Sequence, residues 1–291
     1  MKFKKLKLKS LSVFLLIILF LSSCSGLQEL SVKPDSSELR IHIIDVGNAD
    51  AVLVLNGDSA MLIDAGENND GDDVANFILS QGVKSLDYAI ATHPDADHIG
   101  GMDVVISRVP VKKFIMPIMP ESITPTTRTY IDLLKALDSS GVEVAEAVPN
   151  SRFALGKAEF TILAPVAEFE STNNMSVVLR VDFGKRRFLF MGDAEKEEED
   201  SLLKSGADVK ADFIKICHHG SRTSSQESFL KAVNPLYAVI SCGAGNSYGH
   251  PHPQVLSVLK RLDITYFRTD MDGDITVISN GDSIRFEKLA G

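Results

Sequence analysis

The chain has 291 residues, 44% of them hydrophobic and 24% charged, an ordinary balance for a globular protein and enough for one large domain or two small ones. Its formal charge of −9 argues against tight, sequence-independent binding of nucleic acid by phosphate neutralisation, while leaving room for a local basic groove. Three cysteines are too few for a disulfide-built scaffold.

Lys2, Lys4, Lys5, Lys7 and Lys9 precede an uninterrupted apolar run from Val13 to Leu21, the pattern of an export signal over residues 1–23. The run is too short to span a bilayer, which needs roughly 20 apolar residues. Leu21-Ser22-Ser23-Cys24 resembles the lipobox of bacterial lipoproteins, which implies lipidation at Cys24 and an extracytoplasmic protein anchored to the membrane. Residues 24–38 read as a flexible tether. Removing residues 1–23 takes away five Lys and no acids, turning −9 into −14.

From Leu39 to the end at residue 291 there is no linker and no repeat, so a single domain is expected. Strands are predicted at Arg40–Val46, Ala51–Leu55 and Ala60–Ile63. Helix and strand then alternate: Asp73–Ser80 helical, Leu86–Ala91 strand, Ile99–Ser107 helical, Lys113–Met116 strand, Thr127–Ser140 helical. Strands at Glu159–Leu163, Ser176–Asp182 and Arg187–Met191 open a similar second half. Helices at Glu195–Ser205, Gln226–Val233 and Pro253–Leu262 then alternate with strands at Asp212–Ile216, Tyr237–Ser241 and Ile264–Phe267. Two last strands are placed at Asp274–Ile278 and Ser283–Glu287. Such an order predicts two packed sheets with helices outside, an α/β layered fold.

Four potential metal ligands, His93, Asp95, Asp97 and His98, directly follow the apolar strand that ends at Ala91. Sites in α/β folds gather where strands end, because a loop leaving a rigid edge can aim several side chains into one cleft. Imidazole with carboxylate and no thiolate suits an open, catalytic zinc, manganese or iron site rather than a structural zinc. An isolated His-x-Asp pair would read as a polar turn with Asp97 or His98 capping a helix; four such residues together favour a metal site.

The same run resembles the His-x-His-x-Asp-His signature of the metallo-β-lactamase superfamily, with Asp95 in place of the second His. Ile44-Asp45-Val46-Gly47, Leu62-Ile63-Asp64-Ala65-Gly66, Ile99-Gly100-Gly101, Met191-Gly192-Asp193 and His218-His219-Gly220-Ser221 follow its pattern in order. Thr92 through Gly101, Asn173-Asn174, His218 to Ser221 and Tyr248-Gly249-His250-Pro251 are similar to the hydrolase domain of the ComEC family of DNA-uptake channels.

That resemblance implies an αββα sandwich and two divalent metal ions, zinc or manganese, bridged by Asp193. His93 and Asp95 would hold the first, and Asp97, His98 and His219 the second. The superfamily's third His is absent, with Asn173-Asn174 in its region. His218 and His219 are adjacent, so on an extended backbone they would point to opposite sides; His219 is expected to bind metal and His218 to assist or donate a proton. Their order could be reversed. His250, if protonated, could bind phosphate or protonate a leaving group, while His252 reads as a turn residue. Asn174, Ser221 and Arg222 are candidate substrate contacts; Asp97, His218 and His250 are the candidate catalytic residues. His42 is expected to be structural, and Cys217 and Cys242 to stay unbridged.

The function implied is hydrolysis of a phosphodiester by a metal-bridged hydroxide, DNA being one possible substrate. Rival readings are an esterase for phosphocholine groups or cell-wall polymers, and a surface binding module that kept the fold without turnover. No protein partner is predicted. The membrane is the expected anchor surface.

Overall fold

The computed structural model describes residues 37–288. The export signal, Cys24 and the tether up to residue 36 lie outside the described residues. Glu38, assigned to the tether, belongs to the folded part: its carboxylate meets Arg40 and Arg285 at 3.0 Å each, and its carbonyl accepts a 2.8 Å hydrogen bond from Asn56 Nδ2.

Period-two alternation builds the first sheet. In β1 (Leu39–Ile43) Leu39, Ile41 and Ile43 face the second sheet. In β2 (Ala51–Asn56) Val52 and Val54 do the same, while Leu53 and Leu55 turn outward. These strands and β3 (Ser59–Ala65) form the expected antiparallel meander. Then β4 (Leu86–Ile90), β5 (Val111–Met116) and β6 (Glu143–Glu146) extend it in parallel. Helices α1 (Gly71–Ser80), α2 (Ala96–Ile99), α3 (Met102–Arg108) and α4 (Arg128–Ser140) connect these strands. Val74, Ile78, Val105, Leu133 and Leu137 from α1, α3 and α4 bury Leu53, Leu62, Ala89 and Phe114.

The second half repeats the plan. Strands β7 (Arg152–Leu155), β8 (Ala158–Ala164), β9 (Val178–Phe183) and β10 (Arg186–Phe190) run antiparallel. Strands β11 (Phe213–Lys215), β12 (Tyr237–Ile240) and β13 (Thr265–Arg268) follow in parallel. Helices α5 (Lys196–Ser205), α6 (Glu227–Val233) and α7 (Pro253–Arg261) cover the outer face through Leu202, Phe229, Leu230, Val255 and Leu259. After the short α8 (Thr269–Asp272), β14 (Ile275–Ser279) and β15 (Ile284–Lys288) return to the first sheet, β14 pairing with β1. The sheet orders are β15-β14-β1-β2-β3-β4-β5-β6 and β13-β12-β11-β10-β9-β8-β7. Phe160, Leu179, Val181, Phe188, Phe190 and Phe213 meet Ile41, Val54 and Ile63 in the core between them. The result is the αββα sandwich.

The helix expected at Ile99–Ser107 is two helices, α2 and α3, with Gly100 and Gly101 between them. A Cβ on Gly101 would lie 2.3 Å from the Ala65 carbonyl oxygen and 2.7 Å from Gly71 Cα. Only glycine permits that approach, which brings the loop after β4 against the end of β3. Edge strands β6 and β7 were not predicted, because neither carries a buried alternating face.

His42 is structural, as expected: Nδ1 lies 2.9 Å from Thr276 Oγ1 and the ring meets Phe77 edge-on. Burial beside Arg40 lowers its pKa to about 4, so the ring stays neutral. Cys217 and Cys242 are buried and free.

Candidate metal centre

The site lies where β3, β4, β10, β11 and β12 end, the edge at which loops from both sheets converge. The loop after β4 delivers His93, Asp95, Asp97 and His98; Asp193 follows β10; His218 and His219 follow β11. His98 Nε2 is 3.2 Å from Asp193 Oδ1, and His219 Nε2 is 3.7 Å from Asp193 Oδ2 and 3.3 Å from Asp97 Oδ2. One ligand atom each from Asp97, His98, Asp193 and His219 fall within 4.8 Å of one another. His93 Nε2 stands 4.0 Å from Asp193 Oδ2 and 3.8 Å from Asp95 Oδ2.

Proton bookkeeping explains why these imidazoles face inward. Asp64, at the end of β3, accepts from Thr92 N–H at 2.8 Å and from the Thr92 hydroxyl at 2.7 Å. Its Oδ2 also accepts from His98 Nδ1 at 2.8 Å. With its proton committed to Asp64, Thr92 Oγ1 is left to accept from His93 Nδ1 at 3.1 Å. His219 Nδ1 donates to the Ser241 carbonyl at 3.1 Å. Each ring thus places its proton on Nδ1 and its lone pair on Nε2, the arrangement that outer partners impose on ligating histidines. His93 Nε2, His98 Nε2, His219 Nε2 and Asp193 Oδ1 are buried without a hydrogen-bond partner. Buried polar atoms of this kind are costly unless something satisfies them, and a divalent cation fits this donor set.

Burial would lower the His98 pKa, but Asp193 and Asp64 raise it well above the usual imidazole value, so a proton on Nε2 is what a cation would displace. Burial alone would raise the pKa of Asp193, but His98 and His219 hold it well below the usual carboxylate range. Asp97 is likewise opposed by burial, yet His219 and His98 beside it bring it to about 2. Burial lowers His93 to about 4, leaving it neutral. For Asp95, the most exposed of the set, burial raises the pKa.

Two adjacent histidines on an extended backbone would diverge, but this backbone is left-handed, with φ 47° at His218 and 51° at His219. Both rings consequently turn toward Asp193, His218 Nε2 lying 3.6 Å from Oδ2. Burial would lower the His218 pKa, but Glu195, 3.3 Å from Nδ1, and Asp193 together raise it.

His250 joins the cluster, 5.5 Å from His218 between ring centroids. Its ring stacks beside His219, 6.1 Å between centroids, and burial with the His219 charge lowers its pKa to about 4. Such a ring is neutral near pH 7, and it sits at the mouth of the site. Asn174 is buried, accepts from Glu195 N–H at 3.0 Å and donates to Glu197 at 3.4 Å, which positions the start of α5, and it lines the cleft that opens there. The Ser221 hydroxyl is buried and paired with Thr223 Oγ1 at 2.9 Å. Arg222 is exposed in the turn after His219, its N–H donating to His252 Nδ1 at 3.1 Å.

Sequence reasoning gave no role to Asp64 or Ser176, nor to the buried ion pair of Lys215 with Asp50. Ser176 Oγ accepts from Asp193 N–H at 3.0 Å and lies 3.4 Å from His93 Nδ1. Asp50 sits 3.6 Å from His219 Nδ1. For Asp64 the signal was present, since it falls inside the quoted Leu62–Gly66 pattern.

An αββα sandwich with buried imidazoles and carboxylates converging on one aspartate defines a metal-dependent hydrolase of the metallo-β-lactamase class. The chain belongs to that family: the model of the metallo-beta-lactamase superfamily matches residues 44–244. It is 35% identical over 200 residues to ComE operon protein 3 of Bacillus subtilis, covering 68% of this chain and 25% of that one. Competence protein ComA of Neisseria gonorrhoeae is 30% identical over 249 residues, covering 84% and 33%. Recombination protein 2 of Haemophilus influenzae is 28% identical over 244 residues, covering 82% and 28%. The chain therefore spans between a quarter and a third of the curated relatives it matches. Among solved structures, the diiron β-hydroxylase CmlA from Streptomyces venezuelae shares the fold with TM-score 0.55 and 14% identity. It is matched over 88% of this chain and 55% of that one.

Proposed function

We propose that the protein hydrolyses phosphodiester bonds, outside the cytoplasm and at a membrane surface to which Cys24 tethers it. What carries the hydrolytic part is the set of inward-facing Nε2 lone pairs around Asp193, together with the kinship to competence proteins. His93, Asp95 and Asp193 would hold one divalent ion, and Asp97, His98, His219 and Asp193 the other. Bound there, zinc or manganese would lower the pKa of a water and balance charge on the phosphoryl oxygens. The residues do the orienting: Asp64, Thr92 and Ser241 fix the rings, and Asp97 and Asp193 stay ionised at neutral pH. The leaving group departs through the mouth lined by His218 and His250. The location rests on the sequence of residues 1–24 alone.

A second reading, an esterase acting on a phosphodiester with a cationic group, is favoured by one observation. Beside His218 opens a cleft of about 680 Å³ lined by Glu168, Glu170, Glu195 and Glu197, with Phe169. Its single Lys196 is paired with Asp200 at 2.5 Å. Such a wall repels a polyanion and accepts an ammonium group.

The experiment is a panel of bis-p-nitrophenyl phosphate, single- and double-stranded DNA and choline-phosphate esters, with zinc or manganese, at low and moderate salt. Turnover that disappears in Asp193→Asn supports the proposal, and the preferred substrate separates the two readings. A binding module would turn over none of them and keep its partner after Asp97→Ala and Asp193→Ala. Turnover of a β-lactam in place of every phosphodiester would overturn both readings.

A further inference from the structure

The two halves of the metal centre are unequal. Asp97, His98, Asp193 and His219 close into a cage, whereas His93, Asp95 and Asp193 supply only three donors, and the side chain of Asp95 is 42% exposed. Three donors with one of them solvated make a weak site, and the superfamily's third histidine is missing from the sequence.

His218 stands where a fourth donor is needed. Its Nε2 approaches Asp193 Oδ2 at 3.6 Å, the oxygen that His93 and His219 also face, at 4.0 and 3.7 Å. Its Nδ1 is turned the other way, toward the acceptors Glu195 Oε1 at 3.3 Å and Thr223 Oγ1 at 3.4 Å. An anchored Nδ1 and a free Nε2 are what His93, His98 and His219 show. The left-handed φ of 47° is costly for a residue with a Cβ, and it is what turns this ring inward. Glu195 is held in turn by Asn174, whose Oδ1 accepts its N–H. Asn173 lies in the region where the third histidine is absent and contacts the His218 ring.

We propose that His218 ligates the first cation in place of the absent third histidine, and that Glu195 is the positioning residue that fixes its tautomer. The inference rests on the reading of this site as a two-cation centre. It assigns His218 to metal binding and leaves proton donation to another group.

The test is metal binding by the full chain, stripped with chelator and titrated calorimetrically with Mn²⁺ and with Zn²⁺, alongside electron paramagnetic resonance of the Mn²⁺ form. Wild type should bind two cations and give the multiline spectrum of a coupled pair. His218→Ala should keep one cation and lose the coupled spectrum. Asp97→Ala should weaken the other class, which shows the retained ion to be the caged one. Glu195→Ala should weaken the first class by about 10- to 100-fold, and Glu195→Gln, which still accepts from Nδ1, should restore part of it. Thermal melts of the chelated variants identify any that fail to fold, and the Glu195 pair then carries the test. Two cations bound by His218→Ala with unchanged affinity would overturn the proposal, as would a single wild-type cation that His218→Ala leaves in place. A wild-type chain that binds no cation would overturn the site reading itself.

Discussion

His98 and Asp64 are joined Nδ1 to Oδ2 at 2.8 Å, with both side chains sealed from solvent. Asp64 itself sits at φ 57°, a left-handed position that Asn tolerates better than most residues. Asp64→Asn should therefore keep the backbone while replacing one acceptor by a donor, so that Thr92 and His98 compete for a single oxygen. The expected outcome is a 10- to 100-fold loss of affinity for the caged cation, read by calorimetric titration. Unchanged affinity would show that His98 does not need Asp64 to hold its tautomer.

Gly192 immediately precedes Asp193 at φ 52°, and a Cβ there would come 2.9 Å from both Ser176 Oγ and Thr92 Cβ. Those two side chains flank His93 and the Asp193 amide. Gly192→Ala should lower stability by roughly 1–3 kcal/mol through the strained backbone and displace Asp193 from both cations. A denaturant titration together with metal stoichiometry checks it; a variant of native stability holding two cations would contradict the geometry.

The sequence made the metal run legible because His93, Asp95, Asp97 and His98 are local and follow an apolar strand. Asp193 and His219 were reached only through resemblance, since nothing within their own neighbourhoods distinguishes them from strand-end turns. The inward turn of His218 was not legible at all: it depends on a left-handed backbone that residue type does not announce. Lys215 was hidden for a different reason. It lies at the end of a short buried strand, and its partner Asp50 is 165 positions away. The alternating elements were placed well, whereas the return of β14 and β15 to the first sheet depends on non-local pairing with β1.

Beneath the His218–His219 turn, Glu199 accepts from Ser225 N–H and, at 3.0 Å, from Gln226 N–H, yet burial raises its pKa to about 7. The neighbouring Glu198 is raised well above the usual range, also by burial. A carboxyl whose folded pKa exceeds its unfolded value gives stability that is fully present below about 4.5 and lost as pH rises through about 7. For Glu199 that loss is roughly 3 kcal/mol. Denaturant unfolding of the chelated protein between pH 5 and pH 8 should show stability falling across this window. Glu199→Gln should start less stable, for want of one acceptor, and fall less steeply; an equal slope would remove Glu199 as the cause.

Lys215 and Asp50 form an ion pair with side chains 2% and 4% exposed, directly behind His219 and His98. Burial would lower the lysine pKa, but Asp50 and Asp193 raise it, so the ammonium persists and compensates the carboxylates of the centre. Lys215→Met leaves Asp50 charged, buried and beside Asp193, and should cost about 3–5 kcal/mol. Lys215→Met combined with Asp50→Leu removes both charges and should recover much of that loss, because two desolvated ions are replaced by apolar contact. The two variants differ in a second respect. With Asp50 left unpaired, its charge lies 3.6 Å from His219 Nδ1 and 3.9 Å from His98 Nδ1 with no ammonium to offset it, so cation affinity should rise in the single variant. The double variant should return it toward the wild-type value, with His219 still held by Ser241. Unfolding curves paired with metal titration of the three proteins separate these effects. Equal destabilisation by the single and double changes would mean that Lys215 acts by packing and not by charge.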